Sequence, residues 1–443
     1  IFTGRIPFVW IISQARYSGM YQLTQTWQGQ QNTPGAFDPV PQPPVPSNNS
    51  GSLPSVTSVL SRNFKMPQTW KSSIGLDLKL PADFNGTLEA IFNRDFRGII
   101  FKDLNLVNPV PLNIAGYPDN RLVYPAGNSE KFINPLNSSG LPDKNGNSAL
   151  NAVVVSNSSK GYYFSAMAQI ERKISSDLSF SLAYIKSTAK NYNDGDGDQT
   201  QSALNATPSV SGINQLALGY AGYVMPDRIV STLTYSKQYA KHLKFSVGLI
   251  YQGANDGRFS YTYSRDFTRD GTNRSLIYVP ASPSEIKFSP LTVSVNNTTT
   301  TYSSQQQSDA FFQYIAQDAY LGNRKGKYAE RNGAMLPWRQ QFDLRLSHDF
   351  FLERKGRKNT IQLSCDIINA GNLLNPDWGL KKLVNATSIL VPSNLDQVKP
   401  GGKTLPSFQL ATVGGKLVTE TFRNDYSINS TYMMQFGIRY LFD

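Results

Sequence analysis

The residues from 431 to 442 alternate between two kinds of side chain. Every second position holds an apolar, mostly aromatic side chain: Tyr432, Met434, Phe436, Ile438, Tyr440 and Phe442. The positions between them are mainly polar or small: Thr431, Gln435, Gly437 and Arg439, with Met433 and Leu441 as exceptions. Because successive side chains of a strand point to opposite faces, this pattern predicts a long β-strand with one apolar and one polar face. Such a strand suits a sheet between hydrocarbon and a wet interior, or alternatively the last strand of a soluble β-sandwich.

The same alternation recurs in eight earlier segments of the chain. They are residues 70–80, 87–92, 162–171, 178–184, 229–235, 243–251, 342–350 and 361–367. A tilted strand needs about ten residues to cross the core of a bilayer. The sequence therefore predicts nine antiparallel strands of about that length between residues 64 and 442.

The connections between these strands alternate strictly between short and long. The short ones are 81–85, 173–177, 237–242 and 351–358, and the long ones are 106–159, 187–226, 264–337 and 371–428. A soluble sandwich has no reason to place every long connection at one end, whereas outer-membrane barrels have short periplasmic turns and long extracellular loops. The predicted fold class is therefore all-β: a transmembrane antiparallel outer-membrane β-barrel with long extracellular loops.

The number of strands has a further consequence. If the last strand ends in the periplasm it descends through the membrane, and the first of nine strands then descends as well. Residues 1–63 are accordingly expected to form an extracellular loop region. Because single-chain bacterial barrels have an even number of strands, we expect residues 1–443 to be the C-terminal part of a larger barrel domain.

Composition restricts the class of partner. The chain has a formal net charge of +12, but its basic residues are spread over turns, strands and loops. A nucleic-acid module would instead show a clustered basic face, so no nucleic-acid partner is predicted. Outer-membrane lipid, lipopolysaccharide and an acidic plug domain inside the barrel are the partners that this charge favours. The single cysteine, Cys365, permits no disulfide within the chain.

The sequence offers no catalytic constellation. His242 and His348 are its two histidines, one in a predicted turn and one on an outward strand face. Neither a Ser-His-Asp triad nor a two-histidine metal site can be built from them. We therefore predict that the chain is not an enzyme and has no cofactor.

Charged side chains on the polar faces of the strands are predicted to face the lumen. They are Lys71, Asp77, Glu89, Glu171, Asp343, Arg345, Asp366 and Arg439. A charge facing lipid at mid-bilayer costs about 2–4 kcal/mol, so these residues should pair with one another or with a plug. Asp343 and Arg345 favour a charge ladder over an acid–base pair.

One loop carries three alternating carboxylates, Asp194, Asp196 and Asp198. This spacing resembles the start of a calcium-binding loop, but Gln199 stands where that loop requires glycine and Asn205 where it requires glutamate. A solvated acidic loop is the favoured interpretation, and an extracellular Ca²⁺ site is the alternative.

The two longest loops are the predicted place of ligand recognition, because binding residues concentrate on loops held by a rigid scaffold. Apolar residues at helical spacing predict a short helix over residues 305–321. The aromatic candidates for ligand contact are Tyr302, Phe311, Phe312, Tyr314, Tyr320, Tyr328 and Trp378. The alternative is that these side chains pack the loops together into a cap.

Several blocks of the sequence resemble a known family. They are residues 62–70 with Leu80 and Pro81, residues 328–333 with 337–339, residues 366–375 and residues 1–10. Together they resemble TonB-dependent outer-membrane receptors of the Oar-like type, which contain a carboxypeptidase-regulatory-like domain. The resemblance implies a 22-stranded barrel in a Gram-negative outer membrane, of which these would be the last nine strands. It also implies an upstream plug domain and a TonB box that couples the receptor to the TonB complex.

The leading functional hypothesis is a receptor and transporter that takes up an extracellular ligand through a plugged barrel. The alternative is a surface adhesion or macromolecule-interaction protein without transport, and a third hypothesis is a passive porin. A surface lipoprotein or an extracellular ligand is a further expected partner. The substrate cannot be read from the sequence, since aromatic loops suit both sugars and peptides.

Overall fold

One antiparallel sheet with nine long strands forms the centre of the molecule. The computed structural model describes residues 2–3, 56–196, 199–354 and 357–442. The long strands are β1 (Gln68–Leu80), β2 (Phe84–Asp95), β3 (Tyr162–Lys173), β4 (Leu178–Asn191), β5 (Asp227–Ala240), β6 (Leu243–Asn255), β7 (Trp338–Arg354), β8 (Arg357–Ile368) and β9 (Met433–Phe442). All nine predicted strands are present, and β2, β5, β7 and β8 extend beyond the predicted segments at both ends.

Each strand pairs with the next in the sequence, so the sheet is a simple meander. The short connections therefore all lie at one end of the sheet and the long ones at the other. Two pairs of residues extend the sheet at the second end: Phe2–Thr3 pairs with the start of β1, and Gly219–Tyr220 pairs with the end of β4. Among the described residues, the rest of the outer edge of β1 and the whole outer edge of β9 have no strand beside them.

The register places most of the apolar side chains of the nine strands on one face. Leu76 lies opposite Leu88, Leu88 opposite Ala168, and Ala168 opposite Tyr184. The same face continues through β5 to β9, where Leu363 lies opposite Ile438. Its side chains are exposed: Ile74 by 73%, Phe436 by 75%, Ile438 by 80% and Phe442 by 77%. We call this surface the apolar face.

The opposite surface, the polar face, carries all eight charged residues predicted to share one side. The register aligns them there strand by strand, for example Arg345 opposite Asp366 and Glu171 opposite Asn85. Arg345 makes an ion pair with Asp366 at 3.5 Å. Asp77 accepts a hydrogen bond from the Thr87 hydroxyl at 2.8 Å, and Asp343 accepts one from the Gln341 amide at 2.9 Å. The Arg345–Asp366 and Asp77–Thr87 pairs join neighbouring strands, and cross-strand pairs of this kind stabilise the observed register.

The described residues of the four long connections fold into a cap, which we define as residues 96–161, 192–196, 199–226, 256–337 and 369–432. Its helices are α1 (Asn128–Lys131), α2 (Thr200–Asn205), α3 (Ser304–Gln317), α4 (Ala319–Gly322) and α5 (Ala370–Leu374). Its principal strands are Gly98–Asp103, Asn151–Ser158, Leu291–Val295, Thr298–Tyr302, Lys382–Val384, Leu390–Pro392, Ser407–Leu410 and Phe422–Asn424. Val56–Leu60, within the predicted N-terminal loop region, joins the cap by pairing in parallel with Asn151–Ser158. Residues 4–55 lie outside the described part of the chain.

Further two-residue strands and three-residue 3-10 helices complete the described structure. The strands are Val110–Pro111, Leu122–Val123, Arg258–Phe259, Tyr278–Val279, Lys287–Phe288, Lys327–Tyr328, Ala334–Met335, Thr412–Val413 and Lys416–Leu417. The 3-10 helices are Pro81–Asp83, Pro283–Glu285 and Leu395–Gln397. Across the described ranges, no helix combines the length and the apolar character that a membrane crossing requires.

The main hydrophobic core lies in the cap and is assembled from distant parts of the chain. Leu112, Tyr261, Phe311, Leu390 and Phe408 are all buried in it. The predicted helix over residues 305–321 corresponds to α3 and α4, with a break at Asp318. Ser303 begins α3 with a capping box, in which its hydroxyl accepts from the Gln306 backbone N–H at 3.2 Å.

Candidate ligand pocket between the sheet and the cap

A polar pocket of about 390 Å³ lies where the polar face meets the cap. Strands β2, β3 and β4 contribute Asn93, Asp95, Tyr163 and Asn191, whose positions in the register all belong to the polar face. The cap contributes Arg97, Tyr192, Asn193, Asp194 and Tyr223. The pocket therefore opens at the end of the sheet that carries the long connections.

Asp95 is fixed at the floor of the pocket by its neighbours. Its carboxylate accepts a hydrogen bond from the Thr69 hydroxyl at 3.1 Å, and its backbone N–H donates to the Gly161 carbonyl at 2.9 Å. A Cβ on residue 161 would lie 2.1 Å from Oδ2 of Asp95. Glycine at 161 therefore leaves the space that the carboxylate occupies.

Asp194 belongs to a buried polar network that joins the cap to strand β4. Its carboxylate accepts from the side-chain amides of Asn191 at 3.0 Å and Asn332 at 2.8 Å, and from the Gly222 N–H at 3.2 Å. Arg331, only 4% exposed, lies 3.5 Å from the same carboxylate and also donates to the Gly219 carbonyl. Burial lowers the pKa of Arg331, and the nearby acidic groups oppose that effect.

This network gives a structural role to residues 328–333, which the sequence analysis used only as evidence of a family resemblance. Arg331 and Asn332 belong to the block at 328–333, and their partners come from β4 and the 192–226 connection. Asn369 and Asn372, from residues 366–375, make similar hydrogen bonds at the foot of the cap, where it joins β8 and β9. Asn369, at a φ of 54°, donates to the Ser430 carbonyl at 2.9 Å, and Asn372 donates to the Pro376 carbonyl at 2.7 Å.

The calcium alternative receives no support from the described residues. Asp194 is held by protein donors, and no group of three or more acidic, histidine or cysteine side chains among the described residues is arranged to hold a metal ion. Asp196 lies in the same loop and faces a second polar cavity beside Arg331. Asp198 lies outside the described residues.

The chemistry of the pocket favours a polar ligand. Tyr223 is 67% exposed, and partial burial with the carboxylates of Asp194 and Asp95 raises its pKa. Its hydroxyl is protonated at neutral pH, as for any tyrosine, and can donate a hydrogen bond. Tyrosine rings offer stacking surfaces, while Asn93, Asp95 and Arg97 offer directional donors and acceptors. Such a mixture can orient a small polar molecule or one end of a larger one.

The structure corrects the predicted ligand-facing set at two positions. Phe311 and Tyr314 are fully buried in the cap core, so a ligand on the surface cannot reach them. They are buried because the apolar side of α3 packs against the rest of the cap. These two residues fit the alternative prediction, in which the aromatic side chains pack the loops together into a cap.

The other five candidates lie outside the pocket. Tyr302 donates to the Gly415 carbonyl, Tyr328 donates to Asp119, and Tyr320 accepts from the Glu330 N–H. Phe312 packs edge-on against Phe311, and Trp378 is 55% exposed at the foot of the cap. Sequence reasoning missed the pocket because its residues come from strand ends and separate connections. The sequence carried one indication of the pocket: Asn93 and Asp95 are polar residues that directly follow the alternating segment 87–92.

The two histidines are far from the pocket in the fold. His348 lies on the apolar face near the short-turn end of β7, where Nε2 is 2.6 Å from the Tyr239 hydroxyl. His242 lies in the turn between β5 and β6 and packs against Phe351.

Comparison of the sequence with protein-family models and with curated proteins found no match.

Proposed function

We propose that this chain forms part of an outer-membrane β-barrel receptor that takes up an extracellular ligand, as TonB-dependent receptors do. The observation that carries the proposal is the apolar face shared by nine consecutive strands. Soluble monomers rarely expose a continuous apolar surface beyond a few hundred Å². Lipid hydrocarbon is the environment in which a sheet with this exposure is stable.

The open edges of the sheet support closure into a barrel. Apart from the two-residue pairing with Phe2–Thr3, the outer edges of β1 and β9 have no partner strand among the described residues. In a bilayer every backbone N–H and C=O must be paired, so a membrane sheet has to close on itself. We propose that further strands complete the barrel, to 22 strands if the family resemblance holds.

The polar face would then line the lumen. Its charges, such as Lys71, Glu89 and Arg439, lie on the side away from lipid in this arrangement, where a plug domain can meet them. The pocket at Asp95 and Tyr223 lies at the cap end of that lumen. Ligand binding there places the ligand directly above the plug, and the TonB complex supplies the work of moving the plug.

Uptake in the native Gram-negative host tests this proposal. The full-length protein should fractionate with the outer membrane, and uptake of its ligand should stop when TonB is depleted. Tyr223→Ala should weaken binding several-fold by removing a ring and a donor from the pocket. Tyr426→Ala is the matched control, since Tyr426 is 65% exposed in the cap but does not line the pocket.

The outcomes separate the proposal from its alternative. Recovery of the protein in a soluble fraction would contradict membrane insertion altogether. Binding without any TonB-dependent uptake would favour the adhesion function, which the extensive folded cap also suits. Equal binding by the Tyr223 and Tyr426 variants would exclude this pocket as the ligand site.

A further inference from the structure

We infer that a small apolar patch at the foot of the cap inserts into the outer leaflet of the membrane and anchors the cap to lipid. The patch, which we call the foot patch, consists of Leu373, Leu374 and Trp378, together with Ile428 from the segment whose Ser430 bonds to Lys381. This inference rests on the proposed membrane insertion of the sheet. It adds a lipid contact outside the barrel strands, made by one of the long connections.

The foot patch continues the apolar face upward. A Cβ on Gly371 would lie 3.7 Å from the Phe342 ring and 3.8 Å from Trp378, so all three residues meet at one point. Phe342 belongs to the apolar face, where its ring centroid lies 4.9 Å from that of Tyr251. Trp378 therefore lies on the lipid side of the sheet rather than over the lumen.

Helix α5 carries the patch outward. Leu374 follows Gly371 by three residues, which places it on the same side of the helical turn. Leu374 is 80% exposed, Trp378 55% and Ile428 74%. These are large apolar side chains at the level where aromatic residues gather at a membrane interface.

Hydrogen bonds hold the foot patch in place without help from a partner. The Asn372 amide donates to the Trp378 carbonyl at 3.1 Å, and the Tyr432 N–H donates to Asn372 at 3.1 Å. The Lys381 N–H donates to the Ser430 hydroxyl at 2.7 Å, which ties the two strands of chain together. The patch is therefore pre-formed and tethered to the start of β9.

Basic residues beside the patch match lipid phosphates. Lys381 and Lys382 follow Trp378 by three and four residues in the chain, and Arg423 lies opposite Leu383 where Lys382–Val384 pairs with Phe422–Asn424. Asp377, directly before Trp378, and Asp425, whose N–H donates to the Lys381 carbonyl, are the acidic groups near them. Apolar side chains flanked by lysine and arginine are the composition that binds the interface of anionic lipid. The occupant that fits is a lipid with acyl chains and a phosphate headgroup.

Tryptophan quenching by brominated lipid tests the inference on the full-length protein. The protein is reconstituted in phosphatidylcholine brominated at a shallow or a deep acyl position, and emission is compared among wild type, Trp378→Phe and Trp70→Phe. Trp70 lies on the apolar face of β1 and serves as the internal reference. We expect both substitutions to remove part of the quenchable emission, with Trp378 responding most to the shallow bromines.

The outcomes distinguish the inference from the proposed function. If Trp70 contributes quenchable emission and Trp378 does not, the barrel is inserted but the foot patch is not in lipid, and a protein partner covers it instead. If neither contributes, membrane insertion itself is wrong. Adding unbrominated lipid A to the bilayer should displace brominated lipid from the foot patch and lower the quenching of Trp378, and the double variant Lys381→Gln/Lys382→Gln should lose that decrease. An equal decrease with and without the lysines would overturn the match to phosphate.

Discussion

At the residue scale, a fully buried ion pair in the cap core is the site where the loss of one charged partner should destabilise the fold most. Arg121 and Asp119 are fully buried and 2.9 Å apart. The guanidinium also donates to the Leu276 carbonyl at 2.8 Å and lies 4.8 Å from the Phe267 ring centroid. Burial lowers the pKa of Arg121, but Asp119 outweighs this effect, so the net shift is upward and the arginine stays charged.

Removing this arginine should be costly. Arg121→Ala leaves the Asp119 carboxylate buried without its counter-ion, and we expect a loss of about 3–5 kcal/mol in the free energy of unfolding. Glu330→Ala is the matched control, because its ion pair with Arg324 in the cap is partly exposed and should contribute less than about 1 kcal/mol. Urea unfolding of the reconstituted protein measures both, and similar losses would refute the buried pairing.

A second residue-scale prediction concerns pH. Burial and the neighbouring Asp270 raise the pKa of Asp266 to about 7, against opposition from backbone N–H groups and Lys131. The folded state therefore binds this proton more tightly than the unfolded chain. Its stabilising contribution is full below about pH 4 and is lost as pH rises through about 7, by roughly 1–3 kcal/mol.

Asp266→Asn should flatten this pH dependence, because the substituted side chain does not titrate. Asp309→Asn, at an exposed position on α3, should leave the dependence unchanged. The measurement is the thermal unfolding temperature of the cap at pH 5 and pH 8 in the same buffer ions. Arg269 also lies near Asp266 and keeps its charge over this pH range. If the unfolding temperature of Asp266→Asn still depends on pH as in the wild type, another group causes the dependence.

At the scale of elements, the alternation of side chains predicted the strands because each strand's faces have different surroundings. Leu363 and Gln362 are neighbours in sequence but belong to opposite faces, and that contrast is visible locally. The cap has no comparable local signal. Tyr261 is buried against Tyr314 and donates to Asp318, more than fifty residues away in sequence, so its role depends on contacts that periodicity does not encode.

Because three side chains of α3 are fully buried in the cap core, we expect the stability of the cap to depend on this helix. Phe311, Tyr314 and Ile315 share one side of the helix and are each fully buried. Phe311→Ala should cost about 3–5 kcal/mol of cap stability, while Gln313→Ala on the exposed side should stay within about 0.5 kcal/mol. Limited proteolysis of the cap reports the difference. Equal resistance in both variants would mean that α3 is only a surface attachment.

At the scale of the whole molecule, the meander places every short turn at one end and the whole cap at the other. The proposed membrane arrangement assigns these ends to the periplasm and the cell exterior. Ser176 in the β3–β4 turn and Ser139 in the cap are both exposed and represent the two ends. A cysteine at either position is accessible to a maleimide that cannot cross membranes, once Cys365 is replaced by serine.

In intact cells we expect Ser139→Cys to be labelled and Ser176→Cys to be labelled only after the outer membrane is permeabilised. In the proposed arrangement the strands of the sheet span the membrane, and the two positions lie at opposite ends of these strands. The reverse pattern would invert the orientation while leaving the sheet in the membrane. Equal labelling of both cysteines in intact cells would show that no membrane lies between the cap and the turns, and the exposed apolar face would then need a protein partner to cover it.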